Sequence, residues 1–312
     1  MRVYHSIEEF ERLPVAVATT GTFDGVHKGH QLIIGRLCEV AKRVGGESVL
    51  LTFSPHPRQI LQPERPLKLL NSLDEKTERL AQMGLDHLIV HPFNLAFSRT
   101  TSLEFVRNIL VQKIGVKRLV IGYDHHFGRN REGSFAHLKE FGPLYGFEVE
   151  EIPAHDIDEV AVSSTKIRKA LELGDIEKAN GFLGYPYALS GKVVEGDAIG
   201  RTLGFPTANL QLNDENKHIP ANGVYAVMVK FDDKLYKGMC NLGERPTVSG
   251  NTFRIEVHLF DFNGSLYNKT LKLSFYQRLR DEQRFNSLDG LIKQLQMDAE
   301  KAQSVLSGFD RL

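Results

Sequence analysis

PVAVATTGTFDGVHKGH, residues 14–30, runs from an apolar stretch through a glycine turn to two histidines three residues apart. Val15–Thr20 has the composition of a buried strand. The segment that follows, LIIGRLCEVAKRV at 32–44, sets Ile33, Leu37, Val40, Ala41 and Val44 on one helical stripe. Gly21 and Gly25 bracket the strand-to-helix turn, and a helix start offers unpaired N–H groups and a positive dipole end, so the turn reads as an anion site. His27 and His30, at i and i+3, share a face and add donors or positive charge there, which suits the phosphates of a nucleotide. Two plainer readings stand beside this one. Asp24 can simply cap the helix with the histidines at the surface, or the histidines can join SPHP (54–57) and DHH (124–126) around a metal. No G-x-x-x-x-G-K-[ST] segment occurs, so the nucleotide site is not a P-loop.

Outward from this stretch, β-rich runs and helical patterns alternate up to about residue 183. SVLLTF (48–53), EKTERLAQM (75–83), HLIV (87–90), LEFVRNILVQKI (103–114) and RLVIG (118–122) give βαβα order, the signature of a parallel sheet with helices on its faces. STKIRKALELGDIEKANGFLGYP (164–186) reads as two short helices ending at Gly184 and Pro186. The texture then changes to alternating strands and Gly/Pro/Asn turns, including YALSGKVVEG, GVYAVMVKF, LYKGMCNLG, FRIEVHLFDF and TLKLSFYQ, which predict an antiparallel β-barrel. A last helix begins after Ser287, with Leu288, Leu291, Ile292, Leu295, Ala299 and Ala302 on one stripe. The expected domains are therefore 1–184 and 185–312.

The bulk composition agrees with two soluble cores. At 312 residues the chain is long for one domain, and 41% hydrophobic with 25% charged residues is ordinary for a globular protein. The 39 basic residues balance 39 acidic ones, which argues against a nucleic-acid or membrane-surface protein. Cys38 and Cys240 lack C-x-x-C partners, so neither a disulfide framework nor a cysteine zinc site is expected. MRVYHSIEEFERLP lacks the apolar core of a signal peptide, and no apolar run of about 18 residues occurs. The expectation is a cytoplasmic protein acting on small molecules, monomeric or weakly homo-oligomeric, without nucleic-acid or membrane partners.

GKVVEGDAIGRTLGFPTANL, residues 191–210, holds a second site. Gly191, Gly196, Gly200 and Gly204 let the backbone approach a ligand closely, and Pro206 precedes Thr207 and Asn209, whose oxygens can face one hard cation or form an Asx/ST turn. On FRIEVHLFDF the period-2 rule puts Phe253, Ile255, Val257 and Leu259 on one face and Arg254, Glu256, His258 and Phe260 on the other. Periodicity alone would make Glu256 a solvated strand carboxylate.

GTFDGVHKGH, LLTFSPHP, IGYDHHFGRNREGS and VSSTKIRKAL together resemble the adenylyltransferase module of bacterial bifunctional riboflavin kinase/FAD synthetases, and GTFDGVHKGH carries an (H/T)-x-G-H nucleotidyltransferase signature. GFPTANL, GVYA, GMCNLGERPT and IEVHLFDF resemble the riboflavin kinase module of the same family, so the likeness covers nearly the whole chain. The resemblance implies a Rossmann-like nucleotidyltransferase domain that joins FMN to ATP, giving FAD and pyrophosphate, and a kinase barrel that makes FMN from riboflavin and ATP with Mg2+. It implies ATP contacts at Gly21, Phe23, His27, His30, Asp124, Ser163, Ser164, Thr165 and Arg168 in the first domain. In the second it implies ATP contacts at Gly191, Lys192, Gly196, Gly204, Pro206, Thr207 and Asn209, with Thr207 and Asn209 holding the metal. His27, His30 and Glu256 would be catalytic, Glu256 as general base, and Asp124, Glu256 and Arg280 would meet the flavin. The chain departs from the family pattern at His125, where an aromatic is usual, and at SLYN (265–268), where acidic-Leu-Tyr-Gly is usual.

Overall fold

Strands that are apolar on both faces need a cover on each side. The computed structural model describes residues 1–122, 125–152, 162–196, 199–247 and 250–309. It divides into two units, Met1–Ser164 and Thr165–Leu312. In the first unit, β1 (Arg2–Tyr4), β2 (Ala16–Thr20), β3 (Glu47–Ser54), β4 (His87–Pro92), β5 (Val116–Gly122) and β6 (Glu148–Ile152) form a parallel sheet in the order β1-β4-β3-β2-β5-β6. One face, with Ala16, Ala18, Val49, Leu51 and Leu119, packs on Phe105, Val106 and Leu110. The other, with Val17, Leu50, Leu88 and Val120, packs on Ile34, Leu37 and Ala41 of helix α1 (Lys28–Arg43).

From β2 the chain builds outward to β3 and β4, then returns to lay β5 on the other side of β2. The C-terminal ends of β2 and β5 thus flank the topological switch point, where open α/β sheets bind ligands. The glycine turn after β2 lies at this point.

Two features of the first unit differ from the sequence expectation. The short helix α2 (Pro57–Leu61) is capped by His56, whose Nδ1 accepts from Arg58 N at 3.1 Å, so the histidine of SPHP serves a helix end. Helix α3 (Leu73–Gln82), the helix expected from EKTERLAQM, opens on a Ser72/Glu75 capping box. Residues 103–114, expected as one amphipathic α-helix, instead make a single α-turn, α4 (Ser102–Glu104), continued as the π-helix Phe105–Ile114. Helix α5 (Phe135–Tyr145) completes the unit.

The two short helices expected before Gly184 are α6 (Ser164–Glu172) and α7 (Ile176–Leu183), and Gly184 ends α7 in the left-handed conformation at φ 79°. The barrel strands are β7 (Tyr187–Val194), β8 (Ala208–Leu212), β9 (Gly223–Phe231), β10 (Lys234–Thr247), β11 (Gly250–Leu259) and β12 (Thr270–Arg280). They close antiparallel in the order β10-β11-β8-β7-β12-β9, with the short helix α8 (Ile199–Thr202) between β7 and β8. Along β9 the residues alternate: Tyr225, Val227 and Val229 fill the barrel, and Val224, Ala226 and Met228 join Leu279, Ala302 and Leu306 in a separate core under helix α9 (Leu288–Leu306). Ser287 Oγ caps α9 by accepting from Gly290 N at 3.1 Å.

Asn180 fastens α7 to the barrel. Its Nδ2 donates to Phe275 O at 2.8 Å and its Oδ1 accepts from Tyr187 N at 2.7 Å. Asn180→Ala removes both bonds and leaves two strand backbone groups without this partner, so urea unfolding should show a loss of about 2–3 kcal/mol. An unchanged midpoint would mean that water satisfies both groups.

Candidate active sites

The turn Thr22–Val26 is held in an unusual backbone path. Phe23 has φ 47°, Gly25 φ 88° and Val26 φ 36°, and left-handed non-glycine residues persist only where their surroundings over-determine them. Asp24, 2% exposed, supplies much of that constraint: its Oδ1 accepts from Leu70 N at 2.9 Å and its carbonyl accepts from Ser164 Oγ at 2.8 Å. Asp24 therefore ties the turn to two other segments, and the cap of α1 is His27 instead, whose Nδ1 accepts from His30 N at 3.4 Å. With Nδ1 an acceptor, the His27 proton sits on Nε2.

The two histidine rings stack, with centroids 3.6 Å apart and planes 16° from parallel, and Phe23 packs on His30 at 4.7 Å. His27 is buried and His30 half-buried, and His30 Nδ1 has no hydrogen-bond partner. Burial drives His27 down to about 4 against the pull of Asp24. It drives His30 well below the ordinary 6.5, helped by His27 and Lys76. The pair is neutral near pH 7, so it offers N–H donors and no standing charge. Gly21 lies at the base of the turn, its N–H bonded to Leu51 O at 3.1 Å.

Ser164 is joined to this turn through Asp24, and Ser163 precedes it. Thr165 and Arg168 continue on α6 into the second unit. Asp124 lies outside the described residues. His125 stacks on Phe127 at 6.0 Å and 19°, and burial lowers it to about 4. Its ring thus occupies an aromatic position, with Nε2 buried and without a partner among the described residues. Among the described residues, no group of three or more His, Cys, Asp or Glu could hold a metal.

In the second unit a cavity of about 260 Å³ opens between the outer face of the barrel and α9. Thr207, Asn209, Glu256 and Arg280 all line it, together with Asn241, His258, Glu282 and Phe285. The register explains the convergence: Glu256 on β11 pairs with Asn209 on β8 and with Asn241 on β10. Glu256 is half-buried in the cavity wall, so it is not the solvated carboxylate that strand period alone allows, and Phe260 from the same face is buried under α9. A Cβ on Gly196 would fall 2.1 Å from Asn209 Nδ2, so any larger residue there would have to displace the Asn209 amide from its present seat. Gly204, at φ 81°, turns the chain from α8 into Phe205 and Pro206, whose carbonyl meets His258 Nδ1 at 2.7 Å. Gly191 and Lys192 lie on β7, where Lys192 is exposed, and do not line the cavity.

Arg280 is fixed by a carboxylate that the sequence reading passed over. Its Nε lies 3.0 and 2.9 Å from the two Asp298 oxygens and a terminal nitrogen 2.8 Å from Oδ2, while Gln294 Nε2 donates to Asp298 Oδ1 at 2.9 Å. Asp298 is 3% exposed on the packed face of α9. The available signal was an acidic residue between Leu295 and Ala302 on an apolar stripe. Cys240 is buried nearby, and its thiol is pushed up by burial and by the charge of Glu256.

The family profile described as FAD synthetase matches residues 10–166, and that described as riboflavin kinase matches 183–306. The chain is similar to a bifunctional riboflavin kinase/FMN adenylyltransferase of Pseudomonas fluorescens, 40% identical over 93% of this chain and 92% of the relative. Proteins of the same description from Escherichia coli K12 (36%, covering 96% of each chain) and Listeria monocytogenes (37%, covering 94% and 93%) match as fully. A crystal structure titled a macrolide-efflux protein from Streptococcus pneumoniae shares the fold, with a TM-score of 0.87 at 32% identity over 97% of this chain and 98% of that one. Among the described residues of this chain, no helix is long and apolar enough to cross a membrane. With a histidine-bearing turn at the switch point of one unit, a Glu256 cavity on the barrel of the other, and full-length similarity to enzymes of both activities, the chain belongs to the bifunctional riboflavin kinase/FMN adenylyltransferase family.

Proposed function

We propose that riboflavin is phosphorylated in the barrel cavity and FMN is adenylylated at the histidine turn, with residues 1–184 forming the adenylyltransferase domain and 185–312 the kinase domain. The convergence of Thr207, Asn209, Glu256 and Arg280 on one cavity carries this assignment. Glu256 is the general base, taking the proton of the riboflavin ribityl 5′-hydroxyl as that oxygen attacks the γ-phosphorus of ATP. Thr207 and Asn209 hold Mg2+, which supplies charge neutralisation on the ATP phosphates when bound. Their hydroxyl and amide oxygens suit a hard cation, and the close seat of Asn209 against Gly196 supports this role. Gly191, Lys192, Gly196, Gly204 and Pro206 belong to the ATP side, and Arg280, oriented by Asp298, faces the flavin.

At the other site the FMN phosphate attacks the α-phosphorus of ATP and pyrophosphate leaves, with no enzyme-bound intermediate. His27 and His30 act as preorganised donors to the phosphates, Gly21 and Phe23 shape the turn, and Asp124, Ser163, Ser164, Thr165 and Arg168 complete the ATP and flavin contacts. The enzyme works on these small molecules as a monomer or weak homo-oligomer in the cytoplasm, a compartment that suits two buried free thiols, Cys38 and Cys240.

The two assignments separate in one assay of the full chain with riboflavin, ATP and Mg2+, followed by chromatography of riboflavin, FMN and FAD. Glu256→Gln should cut FMN formation by about 10²–10⁴-fold, the usual worth of a general base, while added FMN still becomes FAD. His30→Ala should let FMN accumulate without FAD. A Glu256→Gln enzyme that keeps most of its kinase rate would refute the base assignment.

Because kcat/KM reports ionisations of the free enzyme, the low imidazole values have a kinetic consequence. Burial penalises the charged form, so both histidines stay neutral well below the ordinary 6.5, His27 down to about 4, and the profile should show no histidine-dependent inflection near 6.5 beyond that of the free substrate phosphates, whose second pKa is about 6. An inflection near 6.5 that vanishes in His30→Ala overturns the neutral-donor reading. Asp298→Asn should loosen Arg280 and raise the kinase KM for riboflavin about tenfold, the low end of the usual cost of losing an orienting partner. The KM for ATP should stay close to its starting value, and steady-state kinetics on both substrates make the distinction.

A further inference from the structure

Behind the histidine turn lies a lysine to which neither the motif nor the fold assigns a part. Lys76 is 8% exposed, and its Nζ donates to Thr22 O at 2.8 Å. That carbonyl also accepts from Thr52 Oγ1 at 3.2 Å, so two donors pin the first residue of the strained turn. Among the described residues this is the one hydrogen bond that the Lys76 ammonium makes, of the three it can donate.

The position is costly for the fold. Burying an ammonium ion carries an effective penalty on the order of several kcal/mol. Lys76 also occupies the first turn of α3, four residues after the Ser72 cap, where the helix dipole repels a cation. Its neighbours on the same stripe, Leu73, Leu80 and Met83, pack into the apolar core, and a methionine would fit that pattern. The charge of Asp24 opposes the burial that lowers Lys76. The titratable groups bearing on His30 are His27, itself neutral near pH 7, and the Lys76 ammonium.

We propose that Lys76 is a positioning residue for adenylyl transfer: its buried ammonium clamps the Thr22–Val26 turn that presents His27 and His30, and sets a fixed positive charge behind His30. The inference rests on the assignment of the histidine pair to FMN adenylylation. Burial disfavours protonation of His30 and the Lys76 charge adds to it, so the ring meets the anionic substrate as a neutral donor. The clamp keeps the donor in place while negative charge develops on the phosphates.

The test uses the full chain. Lys76→Met preserves volume and removes the charge. FAD formation from added FMN and ATP should fall about 100-fold, the scale expected when reacting groups are displaced by an ångström, with the loss in kcat more than in KM for ATP. Riboflavin phosphorylation by the same molecules should be unchanged, which reports on the second unit, and dispersed amide NMR signals from residues 1–164 show that the unit carrying Lys76 is folded. In protein labelled at histidine, the NMR titration of His30 should move up toward 6.5 in Lys76→Met and stay at its starting position in Lys76→Arg, which keeps the charge if the methionine variant folds poorly.

FAD formation at the unaltered rate in Lys76→Met overturns the proposal. So does a slowed enzyme whose His30 titration has not moved, because a purely structural clamp would behave that way. His30→Ala, assayed alongside, separates the two levels: if it still makes FAD, the histidine assignment itself is wrong, and if it fails while Lys76→Met does not, only the role of Lys76 is lost.

Discussion

A buried carboxylate organises the first site. Asp24 has almost no access to water, and each of its neighbours answers that constraint: Leu70 gives its N–H, Ser164 gives a hydroxyl proton to the carbonyl, and Lys76 and His27 lie within reach of its charge. Such an anion is tolerated only when it is paired and hydrogen-bonded. The pairing then fixes everything around it. Phe23 and Val26 can hold left-handed backbone because the residue between them and Gly25 is anchored on both its side chain and its main chain. The histidine pair inherits its orientation from that rigidity, with His27 Nδ1 engaged at the helix start and its Nε2–H left as the donor.

The barrel reaches a comparable rigidity by different means. Its interior is closed and apolar, so its site is built on the outside, where alternate residues of β8, β10 and β11 meet α9 over a second core. Cross-strand register does what a turn does in the first unit: Glu256 stands opposite Asn209 on one side and Asn241 on the other. The Arg280–Asp298 pair spans β12 and α9, so the terminal helix both covers the outer core and holds a cavity-lining cation in one orientation. Cys240, next to this wall, keeps its proton because burial and the Glu256 charge both disfavour a thiolate.

Most of this architecture could be read from periodicity. The buried strands β2 to β5, helix α1, the barrel strands and α9 all carry long apolar patterns, and their order alone implies a parallel sheet followed by a barrel. What escaped was short or polar: β1 has three residues, β6 is the glutamate-rich EVEEI at a sheet edge, and β8 begins inside a glycine-rich segment that reads as loop. The cavity partners Asn241 and Phe285 were hidden because strand register brings the first to Glu256 and the loop between β12 and α9 brings the second, and both are long-range properties. Asp298 and Lys76 were visible in another way, each a charge on the apolar stripe of its helix. A fold keeps such a residue only if something pays its desolvation cost, so a charge in an apolar seam is a signal of function even where no motif surrounds it.

The proposed roles also account for why one site has a carboxylate at its centre and the other has neutral imidazoles. A ribityl hydroxyl must lose a proton as it attacks phosphorus, so the kinase needs an acceptor close to the reacting oxygen, the role proposed for the half-buried Glu256. The phosphate of FMN is already an anion near neutral pH and needs no base. What its attack on the α-phosphorus demands is alignment of two highly charged reactants and donors for the charge that moves onto pyrophosphate. Imidazoles held neutral by burial meet that demand without competing for the proton economy of the reaction, and their fixed stacking means that little reorganisation is left to do when the phosphates arrive. A single pocket could not satisfy both needs, because the carboxylate that helps a hydroxyl attack would repel a phosphate that attacks. Two separately built sites in one chain follow from the difference between the nucleophiles.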